Sequence, residues 1–233
     1  MNDDFTGFFV FAVLILIVIF LFYFFNTEAK IKRKFKNANP KKIGDFKNGE
    51  VAKLLGVIHS VDDYLIAPLS GRQCVQYHVT VEKKTKSNNG GNWHTLINDT
   101  NACKFLIRDE NHHAMINDSN IKSLIFKDAK YSSGFLKDAN PMHEHYLKSH
   151  DLSSENFLGM NKTLRYKEGI LERDEEVAVL GMGHWKPASH FDIPESYNNI
   201  LEITSYENEP IYISDHKEVV SLNKETKYVR IKT

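Results

Sequence analysis

The sequence is poor in cysteine, with only Cys74 and Cys103. Two thiols are too few for a disulfide framework or a cysteine-rich zinc site. The common catalytic signatures are missing as well. There is no Gly-x-Ser-x-Gly elbow, no Walker loop, no Gly-x-Gly-x-x-Gly phosphate fingerprint and no His-Glu-x-x-His pair. Gly181-Met182-Gly183 fits none of these patterns. Net charge is also lacking, since 30 basic residues offset 30 acidic ones. Seven of the basic residues lie between Lys30 and Lys42, which leaves the remainder mildly acidic. That balance argues against nucleic acid as the main partner, because affinity there is largely phosphate neutralisation.

What the sequence has in excess is one apolar run. Residues 8–25 read FFVFAVLILIVIFLFYFF, without charge, proline or glycine. As a helix this stretch would extend roughly 27 Å, close to the hydrocarbon thickness of a bilayer. A soluble helix of that length would carry a polar face, and this one carries none. Asp3 and Asp4 precede it, whereas Lys30, Lys32, Arg33, Lys34 and Lys36 follow it. A cleaved signal peptide would place its charge before the run and small residues after it. The expectation is a membrane helix over 8–25, with a short extracytoplasmic tail at 1–7. The basic flank, within a polar linker over 26–45, would stay on the cytosolic side. The same cluster can attract anionic lipid headgroups. The rest, 46–233, would be a cytosolic domain.

That domain reads as β-dominated, all-β to α+β, with a barrel- or sandwich-like core. Arg72 to Lys83 alternates, with Val75, Tyr77, Val79 and Val81 on one face and Cys74, Gln76, His78 and Thr80 on the other. Strands are also expected at Glu50–Ile58, Trp93–Ile97, Cys103–Ile107, His113–Ile116, Ile121–Phe126, Thr163–Glu172, Glu176–Gly181, Asn199–Thr204, Pro210–Ser214 and Tyr228–Ile231. Pro141–His150 has helical composition, with Pro141 suited to a first helical position. Asp215 could cap a short helix from His216. Pro68-Leu69-Ser70-Gly71 is a turn in which proline fixes φ and glycine tolerates a positive one. SNNGGN after Lys86 reads as a hairpin tip.

Three blocks resemble the GIDE, or beside-a-membrane, domain family. The first carries Pro68, Leu69, Ser70, Gly71, Cys74 and Tyr77. The second, RYKEGILERDEEVAVLG, carries Arg165, Glu168, Leu171 and Gly181, and the third, EPIYISDHKE, carries Pro210, Ile213 and Ser214. The order of the blocks and the neighbouring apolar run match that family. Its best-known members are membrane E3 ubiquitin ligases of mitochondria and chloroplasts, in which a RING finger performs the chemistry. A RING needs about eight cysteine and histidine ligands. After Ser214 this sequence has one histidine and no cysteine. The likeness is therefore to prokaryotic-type, RING-less members, and it implies a bacterial membrane-anchored binding or scaffold protein. By the same likeness the partner would be another membrane protein, a LemA-type protein being the first candidate.

No cofactor or metal is expected, and no residue is assigned a catalytic role. His143, His145 and His150 with Glu144 form the densest histidine group and the basis of one alternative reading, a His-dependent metal hydrolase; the other alternative, implied by the family likeness, is an E3 ubiquitin-ligase-like protein that would depend on a separately supplied RING. At helical spacing His143 and His145 point to different sides. Cys74 and Cys103 are expected as small buried hydrophobes. Asp62/Asp63 and Glu175/Glu176 are expected in solvated turns, and Arg165 with Glu168 as an internal ion pair.

Overall fold

The computed structural model describes residues 2–61, 63–85, 91–134 and 136–221, with side chains of the first helix described at 7–9 and 11–19 only. Helix α1 covers Asn2–Phe25 and α2 Thr27–Asn37. Then come β1 (Pro40–Lys41), β2 (Glu50–Ser60), β3 (Leu65–Ile66), β4 (Gln73–Cys74), β5 (Gln76–Lys84) and β6 (Trp93–Ala102). β7 (Phe105–Asp109), β8 (His112–Ile116), β9 (Ile121–Leu124) and β10 (Ala129–Ser133) lead to helix α3 (Pro141–Lys148). The last strands are β11 (Leu164–Leu171), β12 (Glu176–Pro187), β13 (Asn199–Thr204) and β14 (Ile211–Ser214). The chain is β-dominated, as its alternating segments require.

Five strands close a barrel in the order β2-β7-β8-β13-β12, with β12 returning to β2. Only β8 and β13 run parallel; the other four pairings are antiparallel. A five-stranded closed barrel with this connectivity has the topology of an OB-type barrel. Closure leaves no open edge among these strands. Leu54, Ile58, Ile107, Val177, Val179, Leu201 and Ile203 fill the interior from alternate positions. β14 and then β9 extend the sheet from the first half of β12.

A second sheet, β10-β11-β5-β6, is built from two excursions of the barrel chain, one between β2 and β7 and one between β8 and β12. Its apolar face carries Val79, Val81, Ile97, Leu164 and Tyr166, which pack on Tyr146 and Leu147 of α3. Asn140 caps α3 by accepting from the Met142 amide at 2.9 Å, and Pro141 occupies the first turn.

Several elements differ from expectation. The stretch 26–45 is not a linker but mostly α2, which begins one residue after α1. Asn26 caps it, and Ile31 and Phe35, at i and i+4, bury against Ala178, Leu180, Tyr212 and Val219. Lys53, almost fully buried, donates to the Phe35 carbonyl at 3.1 Å, and burial lowers its pKa. The strand expected over Arg72–Lys83 breaks at Val75, where the chain passes from the small β3–β4 ladder to the second sheet. Cys74 and Gln76 are consequently buried along with Val75. Asp215 does not cap the following helix; its carboxylate accepts from the Phe126 amide at 2.8 and 3.1 Å. The strand at Tyr228–Ile231, residues 87–90 of the hairpin tip, and Asp62 lie outside the described residues. The apolar run at 8–25 falls within α1; among the residues whose side chains are described, no helix is long and apolar enough to cross a membrane.

Candidate functional site

The three sequence blocks converge. β5 and β11 are antiparallel neighbours, with Tyr77 opposite Ile170 and Gln76 opposite Leu171. β12 and β14 are likewise neighbours, with Val179 opposite Ile213. The turn at Pro68–Gly71 is closed by the Gly71 amide donating to the Ala67 carbonyl at 2.9 Å, and Gly71 sits at φ +72°, a region costly to any residue with a Cβ. The Leu69 amide donates to Glu168 Oε1 at 2.7 Å. Glu168 is only 1% exposed, which makes this a charge-assisted bond in a dry setting.

The other side of the turn meets α3. His143, 4% exposed, lies between Tyr131 and Tyr166 at ring-centroid distances of 4.5 and 4.9 Å. Burial lowers its pKa, and the nearby Leu69 backbone only partly opposes that shift. The ring is therefore neutral at pH 7. Its Nε2 has no partner among the described residues. Leu69 itself inserts among Tyr146, Leu147 and Tyr166. Turn, carboxylate and imidazole together fix α3 on the second sheet.

The remaining block residues serve the same framework. Leu171 and Ile213 lie in the barrel core. Ser214 Oγ donates to the Leu124 carbonyl at 2.8 Å and ties β14 to β9. Pro210 is buried where β14 begins. At Gly181 a Cβ would lie 2.5 Å from Ile203 Cγ2 and 3.0 Å from the Thr204 carbonyl, so β12 needs glycine there to approach β13. Tyr77 is half-buried, and burial raises its pKa. Arg165 does not pair with Glu168. It forms a two-pronged pair with Glu82, directly opposite on β5, at 2.5 and 2.9 Å, and lies 4.1 Å from the Trp93 ring centroid. Arg165, followed by burial in opposition and then Lys167 in support, holds the Glu82 carboxyl down at about 2.

These surroundings do not activate a nucleophile. Burial, and then the Glu168 charge, push the Cys74 thiol up to about 12, which keeps it protonated. Cys103 is half-buried, and neither cysteine is in a disulfide. Among the described residues no group of three His, Cys, Asp or Glu side chains could hold a metal ion. His143 is interior, whereas His150 faces Asp99 at 4.0 Å. On the barrel, His59 Nε2 lies 3.1 Å from the Tyr197 hydroxyl, and Tyr197 stacks edge-on at 5.0 Å from His113. Glu176 is exposed, whereas Glu175, beside the exposed Arg173–Asp174 turn, is half-buried. Burial pushes its carboxyl up to about 7, and it accepts from the Glu172 amide at 2.9 Å.

The most distinctive surface lies just beyond α3. Phe157 is 95% exposed, Leu158 64% and Met160 56%, and on the neighbouring loop Leu136 is 89% exposed. Asn161 Nδ2 donates to Asp138 at 2.8 Å and joins the two loops. The apolar tip is internally bonded: the Asn156 amide donates to the Met160 carbonyl at 2.9 Å, and Asn156 Oδ1 accepts from Leu158 and Met160. Its base is held to α3 by the Ser154 amide donating to Glu144 at 3.2 Å. Sequence reasoning missed this feature. The available signal was Phe, Leu and Met set within a run of turn formers, SSENFLGMN.

No protein-family model, curated protein or solved structure matches this chain.

Proposed function

We propose that this chain is a membrane-anchored protein of the GIDE type that acts as a binding module at the cytosolic face. The apolar run at 8–25, with its acidic front and basic rear, supports the anchor and its orientation. Only Asn26 separates that helix from α2, which is seated on the barrel, so the domain would sit directly beside the bilayer. The likeness of the three blocks supports the family reading.

The observation that carries the binding role is the apolar tip. Contiguous exposed apolar side chains mark a protein or membrane contact, and here they stand on formed, hydrogen-bonded loops. The partner we propose is a second membrane protein, with a LemA-type protein as first candidate by family likeness. Its test is crosslinking in native membranes followed by detergent purification of the full chain. The reading predicts a crosslinked partner that is lost from Phe157→Ser/Leu158→Ser and retained in an exposed polar control, Lys148→Gln. Recovery of the chain alone, or equal recovery of the partner by both variants, would falsify it.

A further inference from the structure

The outer face of the barrel gathers polar side chains from four separate elements. Arg108 of β7 stands directly opposite His113 of β8. In an antiparallel pair this places their Cβ atoms about 4.5–5.5 Å apart on one face of the sheet. Leu106, two residues before Arg108, shares that face and pairs with His59 of β2. The His59 and His113 ring centroids are 6.2 Å apart. Over this face runs the connection from β12 to β13, whose Phe191 and Ile193 pack with Leu106 and Met115. It brings Tyr197 edge-on to His113 at 5.0 Å, with the phenol oxygen 3.1 Å from His59 Nε2.

Charge on this face is not balanced. Arg108 is exposed and has no hydrogen-bond or ion-pair partner among the described residues. His113 is half-buried, and its ring nitrogens are neither bonded nor sealed from solvent. Burial, then His59 and Arg108, lower its pKa, and His112 adds to them. Asp109 opposes that shift from the other face of β7, where its carboxylate accepts from the Ile43 amide at 2.5 Å. The other carboxylates of the neighbouring elements are engaged or set apart. Glu202 of β13 accepts from Asn117 Nδ2 at 2.8 Å. Glu176 of β12 lies beyond Val57, two strand spacings or about 10 Å from Arg108. Asp192 and Glu195 of the connection are exposed and form no ion pair among the described residues. A guanidinium, two imidazoles and a phenol thus meet without an anion between them.

We infer that this face binds a phosphate group, as the free ion or on a small organic molecule. The guanidinium fork of Arg108 donates two parallel bonds to two phosphate oxygens. The His113 ring meets a third oxygen, and the Tyr197–His59 pair closes the side. A bound dianion favours the imidazolium form of His113, so binding takes up a proton. The site depends neither on the membrane anchor nor on the apolar tip.

The test is calorimetric titration of the full chain in neutral detergent with inorganic phosphate, glycerol 3-phosphate or sulfate. Both phosphates should bind. Sulfate keeps its two charges at both pH 8 and pH 5, and it should bind about ten-fold more tightly at the lower value. Arg108→Gln should weaken phosphate binding about ten-fold and melt like the wild type, because no bond in the fold holds that side chain. His113→Gln should remove the pH dependence. The imidazole proton resonance it deletes should titrate at higher pH with phosphate present than without. Lys130→Gln removes the same charge from β10 of the second sheet and should change nothing. Absence of binding, unaltered binding by Arg108→Gln, or equal weakening by Lys130→Gln would overturn the site. Tighter binding of glycerol 3-phosphate than of inorganic phosphate assigns the organic carrier, and equal affinity assigns the free ion. If His113→Gln fails to fold, the comparison of Arg108→Gln with Lys130→Gln still decides.

Discussion

Replacing Glu168 by alanine should loosen the Pro68–Gly71 turn specifically. The carboxylate is 1% exposed and accepts from the Leu69 amide at 2.7 Å. A hydrogen bond to a charged group contributes about 1.5–3 kcal/mol, and its loss also leaves a buried amide unsatisfied. For a domain of this size about 1 kcal/mol shifts the melting temperature by about 2–4 °C. Glu168→Ala should therefore lower it by about 3–12 °C. Glu168→Gln keeps an acceptor at the same place and should lower it by about 2–4 °C or less. The local readout is limited trypsin digestion. Arg72 adjoins the turn, and cleavage there should accelerate in Glu168→Ala well before global unfolding. Alanine and glutamine variants with equal melting temperatures and unchanged cleavage at Arg72 would refute the reasoning.

Two further outcomes follow from buried groups. The Glu175 carboxyl is raised to about 7 from an ordinary 4.5, first by burial. The folded chain then binds more protons than the unfolded one between those values, and stability must fall as pH rises through that window. The contribution is fully present below the unfolded value and is lost above the folded one, about 3 kcal/mol in all. Urea unfolding at pH 5 and pH 8 should show Glu175→Gln with a shallower decline than wild type, Asp215, raised to about 6, supplying the residual slope. Parallel declines in the two proteins would contradict this. Gly181→Ala should cost about 1–3 kcal/mol, because its Cβ has no room at 2.5 Å from Ile203 Cγ2. Gly134→Ala, whose Cβ would find its nearest neighbour at 3.7 Å, serves as the tolerated comparison in the same thermal melts.

The strands were legible where two-residue alternation was strong, as along β5, and α3 where Asn140 and Pro141 mark its start. α2 was not, because Ile31 and Phe35 are the only large apolar residues in its sequence and their burial depends on the distant Tyr212 and Val219. β10, Ala-Lys-Tyr-Ser-Ser, has no apolar face and is a strand only because β11 pairs with it. Closure of the barrel is a long-range pairing of β12 with β2 that no local pattern encodes. The Arg165–Glu168 expectation failed for a simple reason. Residues i and i+3 of a strand lie on opposite faces. Arg165 accordingly meets Glu82 across the ladder, and Glu168 turns inward to the Leu69 amide. The bond between the motif turn and Glu168 was not legible, because its partners stand 99 residues apart in the sequence. The apolar tip emerges only when separate loops come together.

The most direct test of the proposed function is the membrane attachment and sidedness of the full chain in its native host. After an alkaline carbonate wash the chain should remain in the membrane pellet. Protease should digest its domain in vesicles that expose the cytosolic face and spare it in vesicles of the opposite orientation. Release by carbonate, or digestion from the extracytoplasmic side, would contradict the account.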